Sequence, residues 1–278
     1  YQDFTIKDYN ESYTPGFRVT EVCTGNALSN VIIEDCDGSS GGAIGQWSTD
    51  GSSISLTNVT VFNCDGGDGG GWFSTITSTL TMTSCTFYSN TASDGGALIA
   101  KSFAAENSTY NIYRTKFYSN TASSEGGATF VGDGTFTFEN CLFYENTSST
   151  DGTVQVQYDN ASTTMNVRNC TVVDNSANGL YQGTSTTMNV YSCIVQDNST
   201  YDIRCAATTN VYHTIYNTIY GSFDTDDDTE TTDATFTDSA SDDYSLASGS
   251  NGIDEGYTTS APSVDIDGNT RVGVNDMG

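Results

Sequence analysis

One motif governs what this chain can fold into. The stretch C-T-F-Y-S-N-T-A-S-D-G-G-A-L-I-A at 85–100 returns almost unchanged as T-K-F-Y-S-N-T-A-S-S-E-G-G-A-T-F at 115–130, with looser copies at 59–73 and 141–156. Self-similarity at intervals of this size marks a repeat architecture, in which each unit buries its apolar face only by stacking on the next.

Aligning the copies on the F-Y-S-N asparagine gives columns. The asparagine column reads Cys36, Cys64, Asn90, Asn120, Asn146, Asn175 and Asn198. Three residues earlier stand Ile33, Val61, Phe87, Phe117, Phe143, Val172 and Val195; eight earlier stand Leu28, Leu56, Met82, Ile112, Phe138, Val167 and Val190. Apolar columns alternate with polar ones, the period-2 signature of strands with one buried face. The alternation breaks at Asn30, Asn58, Ser84, Arg114, Asn140, Asn169 and Ser192, which predicts a left-handed bend there. After the asparagine a Ser/Thr-rich loop leads into G-G-A, which opens a third strand. The expected fold is all-β, a single-stranded right-handed parallel β-helix with three strands per rung, about seven to eight rungs and capped ends. Residues 1–27 are expected to form an N-terminal cap, 28–220 the β-helix, and 221–278 an acidic loop with a C-terminal capping segment. Tyr1 is not a start methionine, which reads as a processed or trimmed chain.

The formal charge of −27, from 35 acidic and 8 basic residues, excludes a nucleic-acid-binding surface. No apolar run is long enough to span a bilayer, so membrane insertion is not expected.

F-Y-S-N followed by G-G-A-L and G-G-A-T, over roughly residues 31–205, resembles the repeats of polymorphic outer-membrane proteins, a family of surface-displayed β-helical adhesins and autotransporter passengers. No membrane barrel follows the repeats, so the autotransporter mechanism is not carried over. D-Y-S-L-A-S-G-S-N-G-I-D-E-G at 243–256, then D-I-D-G-N-T-R at 265–271, looks like the closing segment of secreted bacterial β-helix proteins, with Asn251-Gly252 where those carry Pro-Ala. The resemblance implies an extracellular or cell-surface protein. Such families include adhesins, structural proteins and polysaccharide-active enzymes.

An enzyme is the weaker reading. Motifs resembling the N-T-D, D-D, G-H-G and R-I-K set of polygalacturonases are absent. His213 is the only histidine, and Arg204 is isolated from the clustered acids that a calcium-dependent lyase would need. The sequence therefore points to a non-catalytic extracellular protein: adhesin, surface-layer component or filament subunit. A secreted polysaccharide lyase or glycoside hydrolase acting along the β-helix face is the alternative.

Three further patterns define candidate sites. Asp68, Asp94, Glu125 and Asp151 precede the third strand in successive copies. They read either as turn carboxylates accepting from backbone N–H groups or as an acidic ladder for Ca²⁺, the one cofactor considered. Asp265 and Asp267 are a second cation candidate. Phe62, Tyr88, Tyr118 and Tyr144 form an outward aromatic stripe, and Ile44, Trp72 and Leu98 on the third strand are also expected outward. Such columns suit self-association, another extracellular protein or a glycan, unless flanking loops or the C-terminal segment cover them. Ser55, Thr81, Asn111, Thr137, Asn166, Asn189 and Asn210 form an outward polar column that lacks the T-x-T regularity of ice-binding faces. Finally, Cys36 and Cys64 share a column at a bend, which predicts a disulfide. Cys170 and Cys193 stack as a bond or as two thiols, and Cys23 and Cys205 lie near opposite ends. Seven N-x-S/T sequons, at Asn10, Asn58, Asn107, Asn146, Asn160, Asn169 and Asn198, sit near the number expected by chance in so Ser/Thr-rich a chain.

Overall fold

A computed structural model describes residues 1–8, 10–11, 16–19, 25–46, 51–75, 78–101, 108–132, 134–157, 163–257, 261–271 and 276–278. Cys23, Asn107 and Asn160 lie outside the described residues. The described strands sort into three parallel sheets of 16, six and nine strands, with one antiparallel hairpin, Phe236–Asp238 with Asp243–Leu246. Pairing is in register from copy to copy: Leu80 aligns with Ile54 and Tyr110, Phe136 with Met165, and Phe87 with Val61 and Phe117. The protein is an all-β, right-handed parallel β-helix. Its helical content among the described residues is one 3₁₀ turn, Ser239–Ser241.

The bends follow from local backbone chemistry. Asn58 (φ 53°), Ser84 (54°), Arg114 (50°), Asn140 (52°), Asn169 (46°) and Ser192 (52°) are all left-handed, as the broken alternation predicts. A second left-handed column, which the pattern did not reveal, immediately precedes the asparagines: Asn63, Ser89, Ser119, Glu145, Asp174 and Asp197, at φ 52–57°. These two turns swing the asparagine side chains inward. Asn90, Asn120 and Asn146 are fully buried and form a ladder in which each Nδ2 donates to the Oδ1 one rung on, at 3.0–3.1 Å. Each amide also donates to a backbone carbonyl, as Asn120 does to Phe87 O at 2.9 Å. The ladder ends on buried Asp202, whose Oδ1 accepts from Asn198 and whose Oδ2 accepts from Asn217 N and Thr218 N.

The ends add strands to the sheets: Gln2–Lys7 pairs with Asn26–Glu34, Asn10–Glu11 with Asp37–Gly38, and Phe17–Val19 with Ile44–Gln46. In the acidic stretch after 220, Thr225–Asp227 adds to Asn210–Tyr212.

The third strand corrects a predicted orientation. Ile44, Trp72 and Leu98 are fully buried in the main core, not outward. At Trp72 and Leu98 the cause is a β-bulge. Ala97 N–H and Leu98 N–H both donate to Ala128 O, and Gly71 N–H and Trp72 N–H both donate to Ala97 O. Two consecutive residues therefore face inward, and alternation counted from G-G-A slips by one. The outward residues are Phe73, Ile99 and Phe130, which form their own buried cluster with Lys101 Nζ 4.5 Å from the Phe130 ring centre. Glycine at 69 (φ 64°) is required here, because a Cβ would sit 2.2 Å from Trp72 O.

Candidate functional site: the outer face of the large sheet

The aromatic stripe forms as a stack. Ring centres of Phe62, Tyr88, Tyr118 and Tyr144 follow one another at 4.8–4.9 Å with interplanar angles of 1–12°. In-register parallel strands about 4.8 Å apart impose that spacing. Each ring face is covered by the next ring, so edges and hydroxyls point to solvent. Burial in the stack raises the Tyr88 and Tyr118 pKa values, reinforced by the negative charge of Glu34 beside Tyr88 and of Asp242 near Tyr118.

The chain covers half of this face itself. Tyr244 closes the stack at 5.1 Å from Tyr144 and donates its hydroxyl to Asp174 at 3.1 Å. Tyr144, Val173 and Tyr244 are buried together, with Tyr118, Leu142 and Phe236 packed against them, so Tyr118 stands at the edge of the covered part. Ile194 and Ile215, also outward on this sheet, are buried under Ala234 and Met277. The C-terminal segment is held by the bend column: Asn140 Nδ2 donates to Val264 O (2.8 Å), Asn169 Nδ2 to Asp276 O (3.0 Å), and Gly278 N to Ser192 O (2.8 Å). Arg271 donates to Asn140 Oδ1 (3.0 Å) and Gly278 O (3.2 Å), and its burial lowers its pKa. On the N-terminal half of the face no described residue plays this part. Ile32 is 42% exposed, and Phe62, Tyr88 and Tyr118 are half-buried.

A pocket of about 400 Å³ opens where the covering segment begins. Its floor is Leu142, Thr171, Ile194 and Met277, and its rim carries Asp242, Asp243, Asp265, Asp267 and Asp276 against Lys116 and Arg271. Asp265 is occupied locally, accepting from Asp267 N, Asn269 N and Asn269 Nδ2, and these bonds lower its pKa despite its partial burial.

The other predicted carboxylates lie on a different edge. Asp68 and Asp94 are bridged in register. Lys101 Nζ contacts Asp94 at 2.8 Å, Gln155 donates to Glu125 at 3.1 Å, and Arg204 contacts Asp151 at 3.2 Å. Partial burial and neighbouring carboxylates raise the pKa of Asp68 and Glu125. Among the described residues no three acidic, cysteine or histidine side chains converge as a metal-ligand set. Lys101 and Arg204 supply the offsetting charge.

Cys36 and Cys64 stack as expected but are thiols, so the predicted disulfide is corrected. Each donates to a carbonyl two residues before it, Cys36 to Glu34 O (3.4 Å) and Cys64 to Phe62 O (3.3 Å), which turns the two S–H groups along the turn. Cys170 and Cys193 are buried thiols as well.

The strip of the large sheet farthest from the rings carries only Thr and Asn on the following rungs. Thr79, Thr109, Thr135, Thr164, Thr187 and Thr208 align beside the predicted polar column of Thr81, Asn111, Thr137, Asn166, Asn189 and Asn210. The pair reads T-x-T at Thr79/Thr81 and Thr135/Thr137 and T-x-N on the other four rungs. No protein-family model, curated protein or solved structure matches this chain.

Proposed function

We propose that the chain is a non-catalytic extracellular rod, adhesive or structural, that engages a protein partner through Ile32, Phe62, Tyr88 and Tyr118. One observation carries the reading. On the outer face of the large sheet the ring column Phe62, Tyr88, Tyr118 and Tyr144 is buried by the chain's own C-terminal segment at Tyr144, while Phe62, Tyr88 and Tyr118 stay partly exposed beside the exposed Ile32 of the neighbouring column. Contiguous apolar surface rimmed by polar groups is the usual mark of an interaction site. A glycan would bind such tyrosines by stacking on ring faces, and the ladder covers those faces, so a protein surface fits the exposed edges and hydroxyls better. The resemblance to surface-displayed β-helices supports the same assignment.

Attachment of the protein to surfaces coated with extracellular proteins, compared with a Tyr88→Ser/Tyr118→Ser variant, tests this. Retention by wild type and about tenfold weaker retention of the variant is expected. Release of reducing or unsaturated sugars from a polysaccharide panel would replace this reading with the enzymatic one.

A further inference from the structure

The exposed ladder and the pocket beside it form one continuous surface, and its charge selects the partner. We infer that the partner is a cationic protein segment that lays apolar side chains along Ile32, Phe62, Tyr88 and Tyr118 and places a Lys or Arg side chain in the pocket bounded by Asp242 and Asp267. The inference rests on the protein-binding reading above and names the partner's chemistry.

Three observations converge on it. First, the surface continues an interface the chain already makes: Tyr244 of the C-terminal segment packs tilted by 50° against Tyr144, the last ring of the stack, at 5.1 Å, and Ile194 and Ile215 of the neighbouring column are covered further along. The molecule itself shows that this column accepts an aromatic side chain from a passing segment. Second, the pocket has an apolar floor for an aliphatic stem and a carboxylate rim for its charged head, the division that long basic side chains require. The exposed carboxylates of Asp242 and Asp267 accept no hydrogen bond among the described residues, whereas those of Asp265, Asp243 and Asp276 are engaged locally, and the five carboxylates of the lining outnumber its two cations, Lys116 and Arg271. Third, the field is negative at the ladder as well as over the whole molecule. Glu34, at the near end, is paired with Lys7 at 3.2 Å, so the local charge comes from Asp242, Asp243, Asp265, Asp267 and Asp276 of the C-terminal segment beside Tyr118, and the formal charge is −27. Two copies of such a chain repel each other at this face. A cationic partner is attracted, and its association rate falls as salt rises.

Peptide titration of the intact protein tests the assignment. The probe is an end-blocked dodecapeptide alternating Arg with Tyr, and its control carries uncharged citrulline in place of Arg. Wild type is expected to bind the Arg peptide at least about tenfold more tightly than the citrulline peptide, with affinity falling as NaCl is raised. Tyr88→Ser/Tyr118→Ser and Asp242→Asn/Asp267→Asn should each weaken Arg-peptide binding by about tenfold. All four sites are surface or half-buried positions, and unchanged melting curves will confirm that the variants are folded. Equal binding of the Arg peptide by all three proteins would mean diffuse attraction and overturn the site. Equal binding of both peptides, or of neither, would overturn the cationic partner. Wild-type self-association lost in the tyrosine variant would assign the face to a second copy. Surface attachment that persists while peptide selectivity fails would reject this inference and leave the protein-binding reading standing.

Discussion

Asn120 shows how much a single residue can carry in this fold. It is fully buried, its Oδ1 accepts from both Asn90 N and Asn90 Nδ2, and its own amide donates to Phe87 O and Asn146 Oδ1. Asn120→Ala orphans a backbone N–H, a carbonyl and a neighbouring amide at once. At about 1–3 kcal/mol per stranded group, partly relieved by relaxation, a loss of about 3–5 kcal/mol is expected in urea unfolding. Asn120→Asp keeps the volume but turns a donor into an acceptor facing Phe87 O and Asn146 Oδ1. That variant should be comparably unstable at neutral pH and partly recover on acidification; no recovery would mean that shape rather than hydrogen bonding dominates. Cysteine chemistry belongs to the same scale. Burial pushes Cys85 up to about 11, and Cys205, also by burial, up to about 11. Cys64 is raised by its hydrogen bond with Cys36 and by burial. Thiolates are therefore scarce at Cys64, Cys85 and Cys205, and because all seven described cysteines are buried, these should resist iodoacetamide at pH 8 in the native protein while the unfolded chain reacts readily. Mass spectrometry of the alkylated native protein checks this, and a native Cys36–Cys64 crosslink would contradict the thiol state.

At the scale of elements, much was legible because side-chain identity and backbone geometry repeat together. The apolar columns predicted the register of Phe87 with Phe117 and of Met82 with Ile112, and the Asn/Ser column predicted one left-handed bend. The second bend was hidden because Ser89, Ser119 and Glu145 carry no common chemistry. The bulges at Gly71-Trp72 and Ala97-Leu98 were hidden because they are a matter of which carbonyl accepts twice, and they reversed Trp72 and Leu98. The carboxylate ladder was visible, but not its neutralisation by Lys101 and Arg204, which depends on side chains reaching across rungs. Its energetics are testable through pH. The folded-state pKa values of Asp68 and Glu125 lie above their ordinary values of 3.8 and 4.5, so between the ordinary and raised values the native state holds more protons than the unfolded chain. Their contribution is full at lower pH and is lost as pH rises through the folded values. Glu125→Gln should therefore melt about 1–3 °C above wild type at pH 7, with the gap closing toward pH 4. A constant gap would point to packing instead. Because cationic side chains already face the ladder, adding calcium or a chelator should leave the melting temperature unchanged, and a rise with calcium would show that the offset is incomplete.

Over the whole molecule, a rod of stacked rungs must hide an outer face whose apolar residues follow the same repeat as its core. The sequence carries no periodicity across 234–278 that would say where this segment lies; the contacts do. Tyr244 meets Tyr144, Met277 packs with Ile194 and Ile215, and the bend residues Asn140, Asn169 and Ser192 supply the polar anchors. Those anchors exist only because left-handed geometry turns their side chains or carbonyls outward, so the element that shapes each rung also fixes the covering segment. Tyr244→Ser removes a buried ring and the bond to Asp174 but leaves the anchors, and should cost about 2–3 kcal/mol. Ending the chain at residue 233 removes the whole cover and exposes Leu142, Tyr144, Val173, Ile194 and Ile215 as one patch continuous with Phe62, Tyr88 and Tyr118. Such a chain should stay folded, since the core columns do not depend on the segment, yet associate at micromolar concentration because the enlarged apolar patch overcomes charge repulsion. Sedimentation velocity at low and high salt separates the outcomes. Association strengthened by salt is expected, because screening removes repulsion and leaves burial. A truncated chain that remains monomeric at both salt concentrations would show that the segment does not serve as a cover and would remove the reason for reading the uncovered half as a partner surface.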